Sequence, residues 1–210
     1  MLRITGLEPD PRRPGAVRVL VEGRLFCTVH ERATAAAALE VGAEWTAERS
    51  ASAGRAADEE AAWRALLMAL ERRSHAAPEL RRRLVRKGHP PEAADHAICR
   101  ALEVGLLDDA QFARNYVESR AARGRGPARL RRDLAALGVA RAHIDAALAA
   151  QWAEPEDALG LAGELARKRA RQLAGLPLEV RRRRLLAYLA RRGFTGAAVS
   201  GLVARLLRDA

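Results

Sequence analysis

Three stretches decide how this chain is read: Leu80-Arg81-Arg82-Arg83-Leu84-Val85-Arg86-Lys87-Gly88, Leu130-Arg131-Arg132-Asp133-Leu134-Ala135-Ala136-Leu137-Gly138, and Leu185-Leu186-Ala187-Tyr188-Leu189-Ala190-Arg191-Arg192-Gly193. Each spells Leu, three residues, Leu, three residues, Gly. The leucines are one helical turn apart and the glycine stands where a helix would stop. Six and ten residues after each glycine come Ala94 and Ile98, Ile144 and Leu148, and Val199 and Val203. That spacing is the buried stripe of a further helix. A phrase that returns in register marks an internal repeat.

Working outward, each repeat reads as three short helices. In the first, Asp58, Glu59 and Glu60 suit a helix start, and Trp63, Leu66, Leu67 and Leu70 follow at helical spacing. Pro78 opens a second helix, and Pro90-Pro91 precede a third that ends at Gly105. In the second, Asp108 is an N-cap with Gln111 completing a capping box, and Leu107 and Phe112 are placed as a hydrophobic staple. Gly124 and Gly126 break that helix and Pro127 opens the next. In the third, Gly175 and Pro177 separate a first helix from a second over 178–192 and a third over 196–208. The expected division is 58–105, 106–152 and 153–210. One such unit is too small to be secure alone, so neighbours should share contacts.

Residues 1–57 differ. Leu2, Ile4 and Leu7 form one strand pattern, Val17, Val19 and Val21 a second, and Leu25 to Val29 a third, with Glu22-Gly23 as a turn. This is a small β-hairpin element that needs a helix to pack on. Residues 31–40 read as a short helix, Thr46 as a cap, and 50–57 as a linker or a frayed helix start. The fold class is therefore mainly α, with three tandem three-helix repeats after an N-terminal β-hairpin element.

The charge is uneven. The formal net charge of +11 arises from a net −2 over residues 1–71 and +13 over 72–210. Arg81, Arg82, Arg86 and Lys87 surround the first leucine pair, Arg131 and Arg132 the second, and Arg181, Arg182 and Arg183 precede the third. The plain alternative for any single arginine is a solvated face whose stem covers leucine. As three equivalent patches they suit a polyanion or an acidic groove, since the guanidinium fork offers paired hydrogen bonds. The few aromatics, with Trp63, Phe112 and Tyr116 on buried stripes, argue against single-strand binding by base stacking.

Catalytic chemistry is not indicated. There is no P-loop, Gly-x-Gly-x-x-Gly pattern or nucleophile elbow, and the five histidines lack metal spacing with cysteine. Asp108-Asp109 is read as capping, not as a metal-binding acid pair. Cys27 and Cys99 are expected as buried apolar residues in a reducing compartment. No membrane segment or signal peptide is visible, so the cytoplasm is expected. No cofactor and no enzyme activity are expected.

The set Asp108-Asp109-Ala110-Gln111-Phe112-Ala113, Tyr116-Val117, Arg120, Gly126, Leu130, Leu134 and Gly138-Val139 resembles the central signature of the RecX family, regulators of the RecA recombinase. Arg73, Glu79-Leu80 and Lys87-Gly88 in the first repeat, and Lys168 and Arg192-Gly193-Phe194 in the third, extend the likeness over about residues 58–208. Ala76 departs from it, standing where the family often has a capping Ser, and residues 1–57 diverge. The resemblance implies an elongated, curved array in a bacterial cytosolic protein; three internal units give no need to self-associate, so a monomer is expected. The resemblance also implies binding to RecA filaments on single- or double-stranded DNA, and modulation, usually inhibition, of RecA ATP hydrolysis, strand exchange and co-protease activity. Two other readings stand beside it. One is an autonomous DNA binder using its repeats as helix-turn-helix units, although Ala93, Ala94, Ala140 and Ala142 offer few base-reading groups. The other is a helical scaffold for a different protein.

Overall fold

The computed structural model describes residues 1–208; the last two residues of the segment expected at 153–210 lie outside it. The chain forms two compact units, Met1–Leu107 and Asp108–Ala210.

The first unit opens with a three-stranded antiparallel sheet in the order β1-β2-β3, from β1 (Ile4–Pro9), β2 (Ala16–Val21) and β3 (Arg24–His30). Val19 lies opposite Leu7 on one side and Cys27 on the other, with bulges beside Ile4 and Val19. The free edge of β1 is covered by the following loop: Ile4 N–H donates to Ala43 O at 3.0 Å and Gly42 N–H to Ile4 O at 2.8 Å. Four helices follow: α1 (Glu31–Ala36), α2 (Ala47–Leu70), α3 (Ala77–Arg86) and α4 (Pro91–Glu103).

Residues 50–57, expected as a linker or a frayed helix start, are the interior of a regular helix. Residues 47–70 are one helix of 24 residues. Its sequence there, Ser-Ala-Ser-Ala-Gly-Arg, has little propensity of its own. The sheet supplies the reason for helicity: Ala53 is wholly buried with Ile4, Val19 and Val29, and Ala56 and Ala57 pack on the same cluster. Farther along the same helix, Ala62, Leu66 and Ala69 enter a second core with Leu80, Leu84, Ala94 and Ala97. One helix thus serves both cores, and the acids expected at a helix start sit in its middle. Glu59 lies 3.6 Å from His96 and Glu60 3.6 Å from Arg64. The helix expected over 31–40 stops at Ala36.

The second unit holds α5 (Asp109–Ala121), α6 (Pro127–Leu137), α7 (Arg141–Gln151), α8 (Pro155–Arg171), α9 (Leu178–Arg192) and α10 (Ala197–Arg208). In each triplet the second helix buries its repeated leucines: Leu80, Leu84, Leu130, Leu134, Leu185 and Leu189 are all 0–1% exposed. The third helix packs on the first, α4 on α2, α7 on α5 and α10 on α8. Leu206 and Tyr188 add to the core around Leu185, Leu189, Phe194 and Val203. The three phrase-ending glycines all adopt positive φ, +94° at Gly88, +88° at Gly138 and +96° at Gly193.

Asp108 caps α5, its Oδ1 accepting from Gln111 N–H at 2.8 Å. The other half of the capping box does not form. The Gln111 side chain instead donates to Asn115 Oδ1 at 2.7 Å and accepts from Arg114. Leu107 and Phe112 are buried. Ala76 occupies the N-cap of α3 with no side-chain hydrogen bond.

The two cysteines are free, and neither is fully buried as expected. Cys27 is half-buried, and burial pushes its pKa up to about 11. Cys99 is exposed and donates to Glu103, whose hydrogen bond and charge raise its pKa.

Candidate functional site

The arginines singled out in the sequence divide into two groups. On α3, Arg81 forms a two-pronged pair with Asp95 of α4, with Nη2 at 2.8 Å from Oδ2. On α6, Arg131 pairs with Asp145 of α7, which also accepts from Arg141 at 3.4 Å. The hydrogen bond from the arginine in each case holds the aspartate below the ordinary carboxylate range. Asp133, on α6 itself, accepts from Arg125 at 2.8 Å and lies in an ion pair 2.9 Å from Arg129 Nε. The Arg81–Asp95 and Arg131–Asp145 pairs are solvent-exposed and contribute little to stability. Their effect is on the surface: they fix the arginine forks and neutralise part of the charge.

The pairs repeat with the leucines. Arg81 and Arg131 are 50 residues apart, as are Asp95 and Asp145. In the third repeat the same places hold Leu186 and Ser200, and no carboxylate ion pair is found on α8, α9 or α10 among the described residues. Arg182 and Arg183, with Arg184, are exposed, and Arg181 is half-buried. Arg86, Lys87, Arg82 and Arg132 are exposed as well, Arg132 donating to Ala128 O at 3.3 Å. Among the described residues the third repeat therefore carries its positive charge without carboxylate partners, on α8 as well as α9. The matching of Arg and Asp at a 50-residue offset was visible in the sequence and would have given this result.

Arginine also stacks on the aromatics. Arg100 lies 4.0 Å from the Trp63 ring centre, Arg120 5.3 Å from Tyr116, and Arg192 4.9 Å from Tyr188. These rings are occupied by side chains of the protein itself, so they are not open base platforms. Ala93 and Ala94 are buried, and Ala140 and Ala142 present only methyl groups. Helix-turn-helix base reading finds no donors or acceptors there.

The sequence reading missed an open groove of about 1020 Å³ between α6, α7 and the start of α8. Leu148, Ala149 and Trp152 form its apolar wall, and Arg131, Arg141 and Glu154 its charged rim. Trp152 was the available signal: a large ring at the end of a helix whose buried stripe ends at Leu148.

Within the second unit, α9 and α6 meet end to end. Gly126 N–H donates to Arg192 O at 2.7 Å and Ala128 N–H to Gly193 O at 3.2 Å. Arg192 Nη1 donates to Arg123 O and Gly124 O, each at 3.2 Å. The carbonyl end of one helix thus satisfies the amide end of the other, where no side chain caps α6.

In the first repeat, Glu79 in the first turn of α3 accepts from Arg73 at 2.5 Å and lies 3.0 Å from His75 Nδ1, a buried imidazole. Burial works to raise the Glu79 pKa, but hydrogen bonds from Arg73 and His75 and their charges outweigh it and hold the carboxyl below its usual value.

A small sheet followed by helix triplets, with arginine surplus on the second helix of the last one, defines a helical-repeat protein; no helix among the described residues is long and apolar enough to cross a membrane. The comparisons narrow the class. Residues 108–148 match the second three-helix domain of RecX and residues 156–202 its third. The chain is 39% identical over 147 residues to the regulatory protein RecX of Halorhodospira halophila, spanning 69% of this chain and 88% of that one. It is 37% identical over 139 residues to that of Pseudomonas fluorescens, spanning 64% and 84%. The fold matches a crystal structure of regulatory protein RecX over the full length of both chains, with a TM-score of 0.79 at 23% identity. The chain belongs to the RecX family.

Proposed function

We propose that this protein binds the RecA–DNA filament and lowers RecA's ATP hydrolysis, strand exchange and co-protease activity, and through them recombinational repair and the SOS response. It acts as a cytoplasmic monomer by binding, without catalysis of its own. Family membership supports a regulatory role. The observation that carries the contact assignment is the unpaired arginine face of α9, with Arg181, Arg182 and Arg183 lacking carboxylate partners among the described residues. Arg81, Arg82, Arg86, Lys87, Arg131 and Arg132 form the supporting basic surfaces. A repetitive partner suits a repetitive binder, because weak contacts on one chain then act together.

The test is RecA's single-strand-dependent ATP hydrolysis with this protein titrated in below one molecule per RecA. Inhibition at substoichiometric amounts is expected, and R182E/R183E should shift the titration to higher protein. Full ATPase activity at equimolar folded protein would overturn the reading. If DNA binding without RecA were then strong and steeply salt-dependent, an autonomous DNA binder would take its place.

A further inference from the structure

The third repeat carries a small, open-mouthed cavity of about 280 Å³ where the end of α8, the turn after it, α9 and α10 meet. Its lining is Arg167, Ala170, Arg171, Ala174, Arg181 and Leu206. Three guanidinium groups converge there and no carboxylate does. Arg167 and Arg171 are four residues apart on α8 and so share a face. Arg181 enters from the first turns of α9. None of the three has an ion pair among the described residues, and Arg181 Nε is buried with no hydrogen-bond partner.

We infer that this cavity is a binding site for a phosphate group. Three like charges drawn together around an orphaned donor lack the counter-charge that Asp95, Asp133 and Asp145 supply to arginines of the other repeats. An anion with several acceptor oxygens would supply it. A tetrahedral phosphate can accept from two or three guanidinium forks at once, whereas a carboxylate has only two oxygens and a halide offers no fork. The methyl groups of Ala170 and Ala174 and the side chain of Leu206 keep part of the lining apolar, which strengthens such bonds. The volume lies below the range of pockets that enclose whole small molecules. The phosphate therefore belongs to a ligand that continues out through the mouth: a nucleic-acid strand or a small phosphate ester. The site does not depend on the RecA reading.

The test uses the full chain. Inorganic phosphate is titrated against chloride at matched ionic strength while the arginine Nε–H signals are followed by NMR. Phosphate, and not chloride, should move the Arg181 signal saturably. Affinity should fall on the order of tenfold or more in R167Q/R171Q/R181Q, and stay unchanged in R191Q/R205Q/R208Q, which removes the same charge from exposed positions outside the cavity. A short single-stranded oligonucleotide, tested on the same three proteins, separates the sources. Selective loss of oligonucleotide binding in R167Q/R171Q/R181Q, with competition by phosphate, assigns the site to a strand. Selective loss of inorganic phosphate binding alone assigns it to a small phosphate ester. Equal effects of phosphate and chloride on the wild-type signal, or equal losses in both variants, would overturn the inference.

Discussion

Gly193 and Gly88 end the same phrase in different repeats, and replacing each by alanine separates two physical costs. Both sit at nearly the same left-handed φ, +96° and +94°. Alanine there carries a strain of about 1 kcal/mol. At Gly88 a new Cβ meets nothing within 4 Å. G88A should therefore cost about 1 kcal/mol and no more. At Gly193 the new Cβ would run into the backbone nitrogen and Cα of Arg129, which cannot swing aside as a side-chain tip can. The ends of α9 and α6 must part. That endangers the bonds from Gly126 N–H to Arg192 O and from Ala128 N–H to Gly193 O. Each is worth about 1 kcal/mol net. G193A should then cost roughly 3 kcal/mol, more if the Arg192 bonds to Arg123 and Gly124 are lost too. Urea unfolding gives the totals. Amide hydrogen exchange locates them, because Gly126 and Ala128 should lose protection in G193A and keep it in G88A. Equal destabilisation by the two changes, with unchanged exchange at Gly126 and Ala128, would refute the argument that α9 caps α6.

Three further outcomes are expected. Glu79 is held below its usual pKa, so it binds protons less readily folded than unfolded. Its contribution is present above its unfolded pKa and is lost as pH falls through the folded value. The first unit should therefore weaken on acidification below about pH 4.5, and E79Q should flatten that limb in unfolding curves recorded against pH. A76S places a hydroxyl at the uncapped start of α3 and should stabilise the first unit by about 0.5–1 kcal/mol in urea unfolding; a loss would mean that the buried site has no room for it. D145N and D95N remove the partners of Arg131 and Arg81 at exposed positions, so stability should change by less than about 1 kcal/mol, while salt-sensitive binding to RecA–DNA filaments tightens. Weaker filament binding in both variants would show that the ordered ion pairs, not the free arginines, make the contact.

The sequence carried the repeat because burial is local and periodic. A leucine every fourth residue and a glycine at the stop describe one helix, and the phrase does so three times. Leu185 and Leu189 could be placed in a core without knowing what lay opposite. What could not be read was anything set by a neighbour. Ser50 to Ala57 are helical only because a sheet formed some 30 residues earlier covers Ala53. Gly193 was legible as a helix end, but not as the surface on which Arg129 rests. The basic patches show the same limit in another form. Three runs of arginine look equivalent along the chain, yet two of them pair with aspartates 14 residues on, and the third repeat has Leu186 and Ser200 at the corresponding places. Leucine at 186, in the place of Arg81 and Arg131, packs on the third core in exchange for the lost pair. The same substitution that makes the last repeat more apolar inside leaves its outer arginines without partners. A periodic binder need not be electrostatically periodic: the leucine phrase repeats what the fold requires, and the departures from it mark where the chain has charge left for a ligand.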